Sequence, residues 1–275
     1  MLKKLLKYDL KAMFRYWWIA ALTLTVISVA AGFVLSSLTV EKDLPTSVYV
    51  LSVLGFILIM LGFSAFSIMA IVVIFSRFYK NFFTDEGYLT FTLPVKRRDL
   101  LNSKIISGFI TFFSTSAVIA ADVIIALTIG LRREIFTKEF FDTISEFFND
   151  LINELGFYTI IYAVEAIIIS LLMYFICILF MYCCITIGSI IVKKAKVLVS
   201  VGIFYGSYCV ISFAGQILWL FGIPAISNML GAVPDVMHKT FAALILLGII
   251  CIQAALCTLM YIMQYFMLDR KLNLN

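Results

Sequence analysis

Charge is what this chain has least of. Asp, Glu, Lys and Arg make up 13% of its 275 residues, against roughly 25% in an ordinary soluble domain. The hydrophobic share is 63% and the mean hydropathy +1.09. A soluble core cannot absorb that much apolar sequence, so the deficit excludes a water-soluble globular protein and indicates one solvated by lipid. Histidine occurs once, at His238, and a lone imidazole makes no metal cluster. HExxH, GxSxG and GxxxxGK[ST] are all missing, which removes the zinc-protease, serine-hydrolase and P-loop routes to catalysis. No stretch is Gly-rich enough to cradle a phosphate, so no catalytic residue, cofactor site or metal site is expected in this chain. The six cysteines lie in apolar runs without a CxxC pair, so neither a disulfide framework nor a zinc site is indicated. Cys183 and Cys184 read as packing residues. There are four prolines, Pro45, Pro94, Pro224 and Pro234, and all lie between apolar runs, which leaves the runs free to be continuous helices.

Six runs are present, at roughly 17–39, 47–76, 104–131, 157–192, 197–222 and 240–267. Each exceeds the ~20 residues needed to cross the hydrocarbon layer, and the second and fourth must tilt or project beyond it. The expected fold class is therefore an all-α membrane protein with six transmembrane helices. Residues 1–16 precede the first run as a basic amphipathic helix, with Leu2, Leu6, Leu10 and Met13 on one face and Lys3, Lys4, Lys7, Lys11 and Arg15 on the rest. Such a helix lies in the membrane interface, and Trp17 and Trp18 mark the boundary. A signal peptide is excluded by the length of this lead and of the run behind it. If the N-terminus is cytoplasmic, sixteen Lys and Arg fall on the inner segments and five on the outer ones. That bias places both termini inside and accounts for the net charge of +5 without a nucleic-acid partner.

The outer segment 134–155 is a second amphipathic helix. Phe140, Phe141, Ile144, Phe147, Phe148 and Leu151 form one stripe; Glu139, Asp142, Glu146, Asp150 and Glu154 lie opposite. It reads either as a helix floating on the outer leaflet or as a lid or partner site. Residues 223–238, bounded by prolines and too short to cross, read as a re-entrant stretch covered by protein.

Two carboxylates lie inside runs. Asp122 is nine residues before Leu131 and Glu165 nine after Gly156, which puts each roughly 13 Å from its helix end at 1.5 Å per residue. Intramembrane carboxylates are costly and mark function by default: these two either share a proton or attract a cationic group, or they are neutral packing residues. Gly202 and Gly206 form a GxxxG spacing that lets helices approach closely, either within the bundle or at a subunit contact.

The segment 78–103 is the longest polar interruption in the first half of the chain. Thr84 can cap a short helix with Asp85 and Glu86 at its positive end. Gly87 and Pro94 punctuate it, Lys96, Arg97 and Arg98 follow, and Asp99 can cap the third span. Such a helix held under the membrane between two spans suits the docking of a cytoplasmic partner; the alternative is a plain basic loop. The order Glu86-Gly87, Leu89, Leu93-Pro94-Val95, Lys96-Arg97-Arg98, Leu100-Leu101, Lys104 resembles that of type-2 ABC transporter permeases. The six spans, the amphipathic start and the stretch before span six resemble them too. The chain departs from the family at Tyr88-Leu89-Thr90 and in its large outer helix. The resemblance implies the membrane subunit of a bacterial ABC exporter in the plasma membrane. It implies a separate ABC ATPase, holding ATP and Mg, docked on Asp85, Glu86, Gly87, Leu89, Leu93, Pro94 and Arg97. It also implies a second permease subunit, identical or related. From the residues alone, an ion-coupled secondary transporter using Asp122 and Glu165 and an accessory membrane sensor stay open.

Overall fold

The computed structural model describes residues 2–40, 46–84, 87, 95–131, 137–192, 195–231 and 235–270. The described residues form seven α-helices: α1 Leu2–Val40, α2 Thr46–Phe83, α3 Arg97–Gly130, α4 Lys138–Leu155, α5 Tyr158–Ile191, α6 Lys196–Gly231 and α7 Asp235–Arg270. All but α4 are long and apolar enough to cross a membrane. The shortest of these six helices, 34 residues, is roughly 51 Å long at 1.5 Å per residue, against a hydrocarbon layer of about 30 Å. Their surfaces remain greasy: Leu218, Trp219, Leu220 and Phe221 are each about 70% exposed, as lipid solvent permits. The chain is a multi-pass membrane protein by these measures.

Two boundaries differ from the sequence expectation. The amphipathic lead and the first apolar run form one unbroken helix, α1. The fifth span does not stop at Pro224; α6 runs through it to Gly231. In lipid a helix keeps its remaining backbone bonds even around a proline, because no water competes for them.

The chain divides into two compact units, residues 1–77 with 102–150, and residues 78–101 with 151–275. In the first, α1 and α3 run parallel and in step. Lys104 Nζ donates to Asp9 Oδ1 at 2.5 Å, Ser103 Oγ to Asp9 Oδ2 at 2.6 Å, and Trp17 Nε1 to Thr115 Oγ1 at 2.9 Å. Farther along, Gly32 lies so close to Ile129 that an added Cβ would stand 2.8 Å from its Cβ. α2 runs antiparallel beside them, and Trp17, Ala21, Leu24 and Phe66 make the buried cluster.

The second unit has a like plan. α5 and α7 are parallel, joined by Tyr162 Oη to the Lys239 carbonyl at 2.8 Å and Gln264 Nε2 to Thr186 Oγ1 at 2.6 Å. α6 packs antiparallel on α5, with Gly188 against Ser200 and Phe180 against Phe204. Polar side chains hold these seams because lipid gives apolar helices little reason to associate.

α4 has no buried residue. Its end is pinned within the second unit: Gly156, at φ +60, donates its N–H to the Ile152 carbonyl at 2.7 Å, and Lys239 Nζ donates to the Glu154 carbonyl. A left-handed glycine and a cation on the last carbonyls are what a helix C-terminus favours.

Candidate functional site

Of the docking residues expected in 78–103, Asp85, Glu86, Leu89, Leu93 and Pro94 lie outside the described residues; Gly87 and Arg97 are within them. What the structure describes is how the segment is held at both ends by the second unit. On the α2 side, the Phe78 ring stacks on Tyr182 of α5 with centroids 3.9 Å apart and planes 8° from parallel. Phe82 packs against Phe78 at 4.9 Å, and all three side chains are essentially fully buried. Aromatic burial of this size dominates local packing energy.

The Thr84 side chain turns back onto α2. Its hydroxyl donates to the Lys80 carbonyl at 2.6 Å, closing α2 by the i−4 bond that competes with capping. The Gly87 N–H donates to the Thr84 carbonyl at 2.7 Å. A Cβ at position 87 would lie 2.8 Å from the Phe82 carbonyl oxygen, so this glycine is required by close approach to backbone.

On the α3 side, the basic turn rests on the end of α7. Arg97 Nη1 donates to Asp269 Oδ1 at 2.6 Å and to the Asp269 carbonyl at 2.9 Å. The Arg98 guanidinium sits 5.3 Å from the Tyr265 ring centroid. Asp99 is inside α3 rather than ahead of it, an acid in the first turn, where the helix dipole favours it. Leu100, Leu101 and Leu268 are buried.

Asp122 belongs to the first unit and Glu165 to the second. Asp122 is 1% exposed, with Thr25 of α1 beside it, and its Oδ2 has no hydrogen-bond partner. Glu165 is also buried, near Tyr162, and its Oε2 has no partner. An unpaired polar atom away from water costs free energy, so both positions are energetically loaded. Gly202 and Gly206 face open space, with nothing within 4 Å of an added Cβ; Tyr205 beside them is 60% exposed.

Sequence reasoning missed the buried Asp9–Ser103–Lys104 group. Its signal was there: Asp9 interrupts the apolar stripe of a helix otherwise dressed in lysine, and an acid on such a face needs a partner. It also missed the Phe78–Tyr182 stack, for which no local pattern exists, since the two rings are 104 positions apart (182 against 78). Among the described residues, no three His, Cys, Asp or Glu side chains come together as a metal site would require. No family model, curated protein or solved structure matches the chain.

Proposed function

We propose that the chain is the membrane subunit of an ATP-driven exporter of the type-2 ABC permease kind, in a bacterial plasma membrane with both termini cytoplasmic. A separate ATPase, holding ATP and Mg, docks on residues 78–103, with Asp85, Glu86, Gly87, Leu89, Leu93, Pro94 and Arg97 as its contacts. A second subunit faces this one across the pathway, and α2 and α6 line it. The cargo is an amphipathic peptide or drug.

The observation that carries the reading is the mounting of 78–103. Phe78 and Phe82 lock its start to α5, and Arg97 and Arg98 clip its end to α7. A force applied to this segment is therefore delivered to two spans at once, which a loop that merely joins helices does not need. The open Gly202 and Gly206 face of α6 supports a second subunit, because small residues at four-residue spacing are how membrane helices approach one another.

The test is capture of partners on the tagged chain from its native membrane. A P-loop ATPase is expected, and Glu86→Ala combined with Leu89→Asp should release it while the chain stays in the membrane. Capture of no ATPase, or retention by the double variant, would defeat the docking role. Ion-coupled transport is the second reading, favoured by the unpartnered oxygens of Asp122 and Glu165. It predicts uptake driven by an imposed ion gradient without nucleotide in reconstituted vesicles, which an exporter of the first kind does not show.

A further inference from the structure

Three helices of the first unit leave a groove among them. Ala31 and Val34 of α1, Phe56 and Met60 of α2, and Val123 and Leu127 of α3 stand around a cavity of about 360 Å³. That volume is at the small end of the roughly 300–1,000 Å³ typical of ligand sites, and the walls are almost wholly apolar. The layer beneath is different. Ser28 lies one turn below Ala31 on α1, and Asp122 one turn below Ala126, another wall residue, on α3. Because α1 and α3 run parallel and in step, Asp122 is level with Thr25, which meets it, and Ser28 stands one turn above, between that contact and the wall. Ser28 is fully buried and its Oγ has no partner; Asp122 is 1% exposed and its Oδ2 has none.

An apolar groove alone would be filled by any lipid tail. A groove above an unpartnered carboxylate oxygen and an unpartnered hydroxyl asks for more, because each buried polar atom left unpaired is destabilising. The unit has no cation of its own to offer at this level. No Lys or Arg occurs between Arg15 and Lys42, between Lys42 and Arg77, or between Lys104 and Arg132. A guest that supplies a positive N–H donor for Asp122, a contact for Ser28 and a hydrocarbon body for the groove satisfies all three features together. We propose that the groove and its polar floor are a binding site for a cationic amphiphile, a primary ammonium head on Asp122 with a single alkyl tail among α1, α2 and α3. The site needs neither nucleotide nor a partner chain, so it stands apart from the export reading.

The experiment uses the full chain in nanodiscs of zwitterionic lipid, dialysed to equilibrium with dodecylamine or dodecanol and corrected with protein-free discs. Saturable binding of one amine per chain is expected, at least tenfold tighter than the alcohol. Asp122→Asn, which keeps the side-chain volume, should remove the amine's advantage and leave the alcohol unchanged. Met60→Trp, which fills the groove, should weaken both. No saturable amine binding, equal binding of the two amphiphiles by the native chain, or an amine preference that survives Asp122→Asn would each overturn the proposal. Equal binding would mean a site for lipid tails only; a surviving preference would mean attraction to acids elsewhere. The native-chain comparison needs no variant, so a misfolded substitution cannot obscure the answer.

Discussion

Asp9 shows how one side chain can govern a seam in a chain so poor in charge. Its two oxygens take Lys104 and Ser103, and both members of the ion pair are buried, at 8% and 5% side-chain exposure. A buried pair is weak evidence for net stability, but breaking it by removing one partner is expensive, about 3–5 kcal/mol, because a desolvated charge is left behind. Asp9→Ala should therefore lower the unfolding temperature in detergent sharply, and Asp9→Leu combined with Lys104→Met should recover most of the loss. If the single variant unfolded like the native chain, the pair would be solvated rather than buried. At this scale the sequence was only partly legible. Lys104 reads as one more basic residue on a charge-biased segment, and its partner lies 95 positions away. Only the misfit of an acid on an apolar stripe pointed to the group, and nothing local named the lysine that answers it.

At the scale of helices, existence was legible and neighbourhood was not. Lipid forces each long apolar run to satisfy its backbone internally, so hydropathy and length suffice to locate six spans. Which face of each span meets another helix is hidden, because lipid-facing and helix-facing surfaces are equally apolar. The glycines make the point. Gly202 and Gly206 carry the spacing that a sequence reader notices, yet they face open space within this chain, while Gly188, which carries no such signature, lies against Ser200. A Cβ at position 188 would stand 2.7 Å from the Ser200 Cα and 2.8 Å from its nitrogen, so α5 and α6 would have to separate. Gly188→Ala is expected to cost about 1–3 kcal/mol, the usual range for overpacking. Gly202→Ala meets nothing, and should leave the isolated chain unchanged or stabilise it by up to about 1 kcal/mol through helix propensity. Thermal unfolding of the two variants side by side measures the contrast; equal effects would mean that α5 and α6 are not in this register. The proline at 224 teaches the same lesson from the other direction. Its position between runs suggested an end, but the backbone continues because a membrane helix tolerates a proline that a soluble one does not.

At the scale of the whole molecule, the exporter proposal raises the question whether 78–103 would only hold a motor or would also pass on its stroke. On that proposal the first role would belong to its middle, where the sequence marks Glu86 and Leu89; the second would belong to its ends. Among the end contacts, Arg97 with Asp269 is the one that can be cut without harm to the fold. The two side chains are 49% and 41% exposed, and a half-solvated pair contributes about 0–1 kcal/mol. Phe78 and Tyr182, by contrast, are completely buried, and altering them would damage packing before it tested coupling. The exporter reading assigned Arg97 to the docking surface, whereas its contacts place it against α7 of its own chain. These roles separate in one experiment on the reconstituted complex. If Arg97 transmits, Asp269→Asn should leave ATPase association and the unfolding temperature intact while cargo loses part of its stimulation of ATP hydrolysis. Exchanging the charges, Arg97→Asp with Asp269→Arg, should restore part of that stimulation. If Arg97 instead contacts the ATPase, Asp269→Asn should leave stimulation unchanged and the exchange should weaken association, because the partner would then meet a carboxylate where it met a guanidinium. The carbonyl bond from Arg97 survives Asp269→Asn, so the loss expected from that variant alone is partial, and Arg97→Ala should deepen it.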